Sequence, residues 1–327
     1  MNKDNIKRIL VITLSNTGDV ILTTPVIEAL SRAHPDARID IVVGPNGREV
    51  FEKNTRISKV FIYDKHSGIF EKFRLIKKLR KIRYNLAIDL KNTAIPFLIS
   101  AKYKSKSIGR KKGLLHKREE HLDILKPMGI ETEGIPLKIE LSDDDIRTAE
   151  GLLKSIKGGY VVVSPGAKSH TKRWPPEYFG GISDLINERL GYEIVLVGKD
   201  DGNHPDSDRV VTDHVKRYMK NAPLDLIGKT TLRELGFIIK KALLLVTNDS
   251  APLHIGSAVN TPTVAIFGPT DERKYGPLAD KSIVLRKNLE CAPCEKAQCR
   301  YNYECMRQIT VNDAYEAVNK ILKFNDK

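Results

Sequence analysis

The feature that most constrains this chain is the alternation of short, continuously apolar strands with helices. A buried strand at 8–14 leads through a polar turn into a helix at 20–33, and a second strand follows at 37–43. Strands that are apolar on both faces are typical of parallel sheets covered by helices, and such β-α-β connections are right-handed. The alternation starts again after Gly158–Gly159. The pattern therefore predicts two α/β domains.

The length of the chain supports this division. It has 327 residues, and domains of roughly 150 residues are the default expectation. We expect a first domain at 1–157, a second at 158–310 and a terminal helical segment at 311–327. In doubly wound sheets of this kind, ligands bind at the carboxyl ends of the strands.

Composition disfavours several classes of protein. The chain is 41% hydrophobic and 29% charged, which is typical of globular proteins. It has no run of roughly 18 to 20 apolar residues that would span a membrane, and no secretory segment at its start. We therefore expect a cytoplasmic protein. The first turn contains Gly18 but no G-x-G-x-x-G pattern, which counts against a nicotinamide oxidoreductase.

The net charge of +14 is concentrated in the first half of the chain. Residues 1–158 carry 31 Lys and Arg against 20 Asp and Glu, and the remaining residues carry 24 against 21. The excess lies mainly in a basic helix at 69–84 and a basic segment at 102–118, which we expect to be a loop. One side of this helix is apolar: Ile69, Phe73, Ile76, Leu79 and Ile82. A basic amphipathic helix of this kind either packs on the sheet, which we favour, or lies on an anionic membrane. Such charge indicates an acidic partner: nucleic acid, an anionic membrane or a phosphorylated substrate.

A second strand-turn-helix stretch predicts a phosphate site. The apolar run 242–246 is followed by the polar turn 247–250 and by a short helix with Pro252 in its first turn. Asp249 or Ser250 is expected to be the residue before this helix. Free backbone N–H groups and the positive end of the helix dipole favour bound phosphate at such a turn.

Five sequence motifs occur in one order along the chain: LSNTGDVILTTP at 14–25, PGA at 165–167 with TKRWP at 171–175, GKTTLREL at 228–235, NDSAPLH at 248–254 and FGPT at 267–270. In this order they resemble the ADP-heptose–lipopolysaccharide heptosyltransferases, glycosyltransferase family 9. The resemblance implies a glycosyltransferase-B architecture, in which two Rossmann-like, doubly wound domains face a central cleft. It implies that the first domain binds the acceptor, that the second binds the nucleotide sugar, and that the segment 311–327 crosses back to the first domain.

The resemblance also implies a function. We expect an inverting transfer of a heptose from ADP-heptose to an anionic lipopolysaccharide inner-core acceptor, with no cofactor for catalysis. The expected protein is monomeric, binds no nucleic acid, and touches the inner membrane from the cytoplasm. Two alternatives remain. One is a transferase of the same fold that uses another nucleotide sugar. The other is a basic, non-catalytic nucleic-acid-binding protein, against which the lack of basic-aromatic stacking motifs counts.

Asp19 has two interpretations. It can be a helix N-cap, worth about 1 kcal/mol to the helix, or, as the resemblance implies, the general base that takes the proton from the acceptor hydroxyl. We favour the base. The predicted acceptor-binding residues are Ser15, Asn16, Thr17, Gly18, Lys102, Lys104, Arg110 and Lys111.

On the donor side, Lys172 is a solvated surface charge or, as the resemblance implies, a catalytic contact to the donor phosphates. His254 is either a phosphate ligand or a buried core histidine, and Asp249 either binds a sugar hydroxyl or fixes the turn. Ala251 stands where the family usually has glycine, and Trp174 is expected to be a packing anchor. The predicted donor-binding residues are Ser164, Gly166, Lys168, Thr171, Lys172, Gly198, Asp200, Asp249, Ser250, Ala251 and His254.

All four cysteines of the chain, Cys291, Cys294, Cys299 and Cys305, lie close together. In a cytosolic protein this clustering favours a metal site or redox pairs over unrelated core thiols. Zinc is the first choice, because four thiolates suit a closed tetrahedral site. A structural zinc ion, an iron–sulfur cluster, disulfides and free thiols remain open.

Overall fold

The computed structural model describes residues 6–14, 16–105, 115–200, 202, 204 and 207–323. It divides into two compact units, Met1–Glu140 and Leu141–Lys327. Each unit is built on a parallel sheet that carries helices between successive strands. The expected α/β fold class is thereby confirmed.

Within the described residues, the sheet of the first unit has five strands in the order β3-β2-β1-β4-β5, and all neighbours are parallel. Four consecutive residues of β1, from Ile9 to Ile12, are fully buried, as the apolar run predicted. The strands are β1 (Arg8–Thr13), β2 (Arg38–Val43), β3 (Ile57–Ile62), β4 (Tyr84–Asp89) and β5 (Ala101–Lys104).

The second unit contains a six-stranded sheet in the order β11-β10-β9-β6-β7-β8, counted over the same described ranges. Its neighbouring strands are also parallel. The strands are β6 (Tyr160–Ser164), β7 (Glu193–Leu196), β8 (Leu224–Asp225), β9 (Leu244–Asn248), β10 (Thr263–Ile266) and β11 (Ser282–Leu285).

Helices connect these strands in both units. In the first unit they are α1 (Thr17–Ile21), α2 (Thr24–Ala33), α3 (Arg48–Phe51), α4 (Ile69–Arg80), α5 (Ile95–Leu98) and α6 (Lys117–Asp123). In the second unit they are α7 (Asp143–Leu152), α8 (Pro176–Leu190), α9 (Asp208–Arg217), α10 (Leu232–Lys241), α11 (Ala251–Ala258), α12 (Glu272–Tyr275), α13 (Glu304–Arg307) and α14 (Val311–Lys323). None of the described helices is both long enough and apolar enough to cross a membrane.

The division between the units lies before the boundary that the sequence predicted at 157/158. Helix α7 belongs to the second unit because it packs against α10. The contact includes an ion pair between Arg233 Nε and Asp145 Oδ2, 3.0 Å apart, with both side chains less than 10% exposed. Burial alone would raise the pKa of Asp145, but hydrogen bonds from Ser142 and the charge of Arg233 hold it below its ordinary value.

The terminal helix α14 was predicted to cross back to the first domain. Its apolar face lies in the core of the second unit, where it packs against α8, β10 and β11. Ala314, Val318 and Ile321 are buried in this contact, together with Ile266 on the sheet. The segment 311–323 is therefore a structural part of the second unit.

The predicted helix at 20–33 is broken into α1 and α2. Pro25 occupies the first turn of α2, where its missing N–H costs nothing, whereas inside a longer helix it would remove a hydrogen bond. The expected loop at 102–118 is also revised. Its first residues form the edge strand β5, α6 begins at Lys117, and residues 106–114 lie outside the described part of the chain.

Helix α4 packs on the sheet with only part of the predicted side: Leu79 is buried, and Ile76 and Ile82 pack on the same core, as expected. Leu75 and Leu79 are its buried residues. Ile69 and Phe73, which were expected to pack on the sheet, are 73% and 68% exposed, and Phe70 is 86% exposed. The first turn of α4 therefore presents large apolar side chains to the solvent.

We predict that Asp145→Ala destabilises the second unit by about 3–5 kcal/mol, because it leaves the Arg233 charge buried without its partner. Urea denaturation followed by fluorescence reports on this unit, since its Trp174 is the only tryptophan of the chain. The matched control is Asp144→Ala, whose exposed side chain pairs with Arg147 on the helix surface and is worth less than about 1 kcal/mol. Equal losses in the two variants would contradict the prediction.

Candidate active site

In the second unit, the predicted donor residues follow the ends of three neighbouring strands. Strands β9, β6 and β7 are adjacent in the sheet, and Ser164 at the end of β6 lies opposite Thr247 on β9. Parallel pairing brings the carboxyl ends of all three strands to one edge of the sheet. The turns that begin at Pro165, Val197 and Asp249 therefore gather there.

The side chain of Asn248 ties two of these turns together. Its Nδ2 donates to the carbonyl of Pro165 over 2.8 Å, and its Oδ1 accepts from the backbone N–H of Trp174 over 3.1 Å. Trp174 is fully buried and donates from Nε1 to the carbonyl of Ile309 over 2.8 Å. Its predicted role as a packing anchor is confirmed. The segment 165–174 is thus fixed against the end of β9.

Lys172 and Asp249 form an ion pair at this edge. Nζ of Lys172 lies 2.7 Å from Oδ2 of Asp249, and the lysine side chain is 30% exposed whereas that of the aspartate is 5% exposed. The pair lies next to the start of α11, and Ser250 is the residue before this helix, as expected. The structure thus holds a partly exposed ammonium group beside the positive end of a helix dipole. Two roles were considered for Asp249, and this ion pair supports the one in which Asp249 fixes the turn.

Two predicted donor residues are glycines at which the backbone closely approaches Asp208. A Cβ atom at Gly166 would collide with the Asp208 carboxylate, and one at Gly198 would lie 3.2 Å from its Oδ2. The same oxygen accepts from the backbone N–H of Lys199 over 3.1 Å. Sequence reasoning missed Asp208, because it is the first residue of α9, a helix that the pattern did not connect with these turns.

Asp200 was expected to bind ribose. In the structure its Oδ2 lies 3.2 Å from Nη2 of Arg209, which also donates to the carbonyl of Ile227 over 2.6 Å. The carboxylate of Asp200 remains 45% exposed. Arg209 therefore orients Asp200 at the end of β7 and leaves part of it accessible. Asp201, in the same turn, lies outside the described residues.

The other predicted donor residues differ in their exposure. Lys168 is exposed, Ala251 and Ser250 are half-buried, and Thr171 and His254 are buried. The hydroxyl oxygens of Thr171 and Ser169 lie 2.8 Å apart. His254 lies one turn into α11, inside the unit, in agreement with the interpretation as a core histidine.

In the first unit, Asp19 is the third residue of α1 and is half-buried. Asn16 occupies the N-cap position, so the alternative role considered for Asp19 as the cap residue is wrong. Thr17 donates from Oγ1 to the carbonyl of Asn46 over 2.7 Å, which joins the turn after β1 to the turn after β2. Gly18 is buried in the same turn. Ser15 lies outside the described residues.

Asp19 belongs to a cluster of charged groups that the sequence did not reveal. Burial lowers the pKa of Lys91, and the negative charge of Asp19 opposes this shift. Lys117 and Glu120 also act on Lys91, and they pair with each other at 2.6 Å. His121 lies in the same surroundings, where burial lowers its pKa to about 4. The charges of Asp19 and Lys91 thus act on each other in this unit.

The loop that carries Lys91 is organised by Asp89, the last residue of β4. Its carboxylate accepts from the backbone N–H of Lys91 over 2.9 Å and from that of Thr93 over 2.6 Å. Because β4 lies next to β1, this loop follows the strand that neighbours the Asp19 turn. The available sequence signal was a polar turn after a buried strand, but the strand order was needed to place it.

The remaining predicted acceptor residues lie farther along the chain. Lys102 and Lys104 are exposed on the edge strand β5, and Nζ of Lys104 lies 5.5 Å from the centre of the Phe97 ring. Arg110 and Lys111 lie outside the described residues. The structure thus adds Lys91 to the basic groups that sequence reasoning proposed.

The four cysteines line one cavity of about 370 Å³. None of the four forms a disulfide bond, and Cys305 is the buried one. Burial and the other three cysteines raise the pKa of Cys305 to about 11. Sγ of Cys299 accepts from the backbone N–H groups of Tyr301 and Tyr303, each over 3.3 Å. Among the residues that the structure describes, no three His, Cys, Asp or Glu side chains are already placed to hold a metal ion.

Comparisons with known proteins agree with this arrangement. The family model of glycosyltransferase family 9 (heptosyltransferase) matches residues 103–304. The chain is 31% identical to lipopolysaccharide heptosyltransferase 3 of Escherichia coli K12, over 93% of this chain and 95% of that protein.

Two solved structures have the same fold. A glycosyl transferase family 9 protein from Veillonella parvula superimposes with a TM-score of 0.84 and 26% identity, over 97% of each chain. ADP-heptose lipopolysaccharide heptosyltransferase II of E. coli gives a TM-score of 0.77 at 20% identity, over 98% of this chain and all of that one. The matched family model and the E. coli relative decide the assignment: this chain belongs to glycosyltransferase family 9, the heptosyltransferases.

Proposed function

We propose that this heptosyltransferase moves a heptose from ADP-heptose to an anionic acceptor in the inner core of lipopolysaccharide, with inversion at the anomeric carbon. The acceptor hydroxyl attacks that carbon directly while ADP departs. The observation that carries the proposal is the Lys172–Asp249 pair beside the start of α11, in a member of this family. The E. coli structural neighbour, by its name, uses ADP-heptose.

The donor half of the proposal depends on the neutralisation of phosphate charge. Lys172 is held by Asp249 but remains partly exposed, so its ammonium can contact the departing diphosphate. The start of α11, with Ser250 and Ala251, adds backbone N–H groups and the positive end of the dipole. Preorganised positive groups of this kind stabilise the charge that develops in the transition state. No step of this proposal needs a divalent metal.

We assign the nucleoside to the turns that surround Asp208. Gly166 and Gly198 leave room for the Asp208 carboxylate between two strand ends. The exposed part of the Asp200 carboxylate can accept from ribose hydroxyls, as acidic residues at the ends of Rossmann-like strands do. Ser164, Lys168, Thr171 and His254 support this binding region from the same edge of the sheet.

The acceptor half centres on Asp19. In this proposal its carboxylate accepts the proton of the attacking hydroxyl, which typically contributes roughly 10² to 10⁴-fold to the rate. The charges of Asp19 and Lys117 both act on Lys91, and we propose that anionic groups of the acceptor meet the two lysines. The excess of positive charge in residues 1–158 would also suit nucleic acid, but in a glycosyltransferase we assign it to the acceptor and its surroundings.

We place the enzyme in the cytoplasm as a monomer that contacts the inner membrane, because a lipopolysaccharide acceptor is anchored there. Basic side chains near an anionic bilayer contribute roughly 1 kcal/mol each to its attraction.

We also propose that the four cysteines bind one structural zinc ion. Four thiols suit a tetrahedral zinc site, and the two N–H bonds to Cys299 Sγ are of the kind that orients metal ligands. The side chains must rotate towards a common point in their shared cavity. Metal analysis of protein purified without oxygen should find about one zinc ion per chain, and none in a variant with all four cysteines replaced by serine. Metal-free or iron-loaded protein would contradict zinc.

We predict that Asp19→Asn lowers kcat by roughly 10² to 10⁴-fold, because an amide cannot accept the proton. The affinity for ADP and the melting temperature should stay the same. The control is Asp36→Asn, at an exposed position of the same unit. A wild-type kcat in Asp19→Asn would exclude Asp19 as the base.

We predict that Lys172→Met weakens ADP binding by roughly 10 to 100-fold, the value of a charge-assisted hydrogen bond. Since this variant leaves Asp249 buried and charged, the double variant Lys172→Met/Asp249→Asn should lose ADP affinity while it recovers stability. Calorimetric titration of ADP, UDP and GDP measures both the loss and the preference for adenine, with Lys240→Met as an exposed control. Preference for UDP or GDP would favour another nucleotide sugar.

A further inference from the structure

The first unit carries a group of large apolar side chains that are exposed to solvent. Ile69, Phe70 and Phe73 lie at the start of α4, and Phe97 and Leu98 lie at the end of α5. Phe70, Phe97 and Phe73 are 86%, 76% and 68% exposed. We call these five residues the apolar patch. Single exposed apolar residues are ordinary, but a group of this size marks an interaction site.

The five residues lie on neighbouring elements. Ile69 and Phe73 are four residues apart and so share one side of α4, and Phe70 lies three residues before Phe73. Helices α4 and α5 pack against each other. Phe73 also lines a groove of about 630 Å³ together with Ser100, which follows α5. The patch is therefore an exposed face shared by two helices.

Positive charge borders this patch. The groove that contains Phe73 is also lined by four basic residues, Lys77, Arg80, Lys81 and Arg83, all exposed. Lys104 lies over the Phe97 ring at 5.5 Å. Glu71 is the acidic residue of α4, against five basic residues in the same helix. The apolar patch and the basic groups thus lie side by side on the surface of the first unit.

We infer that the apolar patch inserts into the surface of an anionic phospholipid bilayer, with the basic residues on the lipid headgroups. Exposed phenylalanine and leucine side chains can enter the boundary between headgroups and acyl chains, while neighbouring lysine and arginine side chains meet anionic headgroups. The dominance of one sign of charge favours a uniformly anionic surface over a protein partner with mixed charges. The inference deepens the proposed function, on which it rests for a reason why the enzyme should meet a membrane.

Co-sedimentation of the full chain with vesicles tests this inference. The protein should sediment with vesicles of phosphatidylglycerol and phosphatidylethanolamine, but only weakly with pure phosphatidylcholine. Added salt should weaken the binding, because it screens the charges. The double variant Phe70→Ser/Phe73→Ser should lose about tenfold in affinity for each ring removed. The matched control is Tyr218→Ser, which removes an exposed aromatic ring from the second unit.

Charge variants test the contribution of the basic residues to vesicle binding. Lys77→Glu/Lys81→Glu should lose at least roughly fivefold in affinity per residue, whereas Lys154→Glu/Lys240→Glu, at exposed positions of the second unit, should bind as the wild type does. Equal binding to neutral and anionic vesicles, or wild-type binding by the phenylalanine variant, would overturn the inference. Light scattering without lipid tests the alternative partner of the apolar patch, which is a second copy of the chain. A wild-type dimer that is lost in the phenylalanine variant would assign the patch to this second copy and would also overturn the inference.

A transfer assay with a delipidated, water-soluble acceptor separates the two proposals. The phenylalanine variant should transfer to this acceptor at the wild-type rate. If the wild-type protein transfers to this acceptor but does not bind anionic vesicles, only the membrane inference is refuted. A wild type that binds vesicles but transfers to no core acceptor refutes only the proposed function.

Discussion

The candidate donor site of the second unit depends on the hydrogen bonds that the side-chain amide of Asn248 makes at the end of β9. This side chain is fully buried, and it satisfies one backbone group in each of two different parts of the 165–174 segment. A buried backbone group without a partner costs roughly 1–3 kcal/mol, so this one side chain keeps an irregular segment stable against the sheet. Lys172 belongs to that segment, and Asp249 directly follows Asn248 in the sequence. The Asn248 amide therefore sets the distance between Lys172 and Asp249.

The sequence predicted the buried strands β1, β2 and β9 well, because strands in parallel sheets are apolar on both faces and so stand out as short apolar runs, but it missed the edge strand β5. It also offered Ser250 as one of two residues that could precede α11, where local chemistry decides. The missed features depend on strand order. Lys91 comes into the surroundings of Asp19 only because β4 lies beside β1. Asp208 fills the space beside Gly166 only because β7 lies beside β6. A pattern along the chain does not contain these neighbours.

The helices show the same limit. The spacing on α4 predicted an amphipathic helix, but it did not decide which apolar residues meet the sheet; Leu75 and Leu79 do, and Phe73 does not. For α14 the family resemblance suggested a return to the first domain, and its apolar face packs in the second unit against α8, β10 and β11. The position of a helix depends on which sheet surface is left uncovered, and this is a property of the whole unit. The placement of Asp19 and Lys172 in particular roles was taken from the family motif, and no geometric rule from the sequence would have supplied it.

The bond from Trp174 to the carbonyl of Ile309 has a consequence for synthesis. The five described strands of the first unit lie before residue 105, so this sheet can assemble while the ribosome is still translating the rest. The core of the second unit includes Met306, Ile309 and α14, which are made after all of its strands. Until these residues emerge, the indole N–H has no acceptor and the sheet has an uncovered apolar side. The nascent second unit must therefore wait in an incomplete state, exposed to chaperones and proteases, for longer than the first.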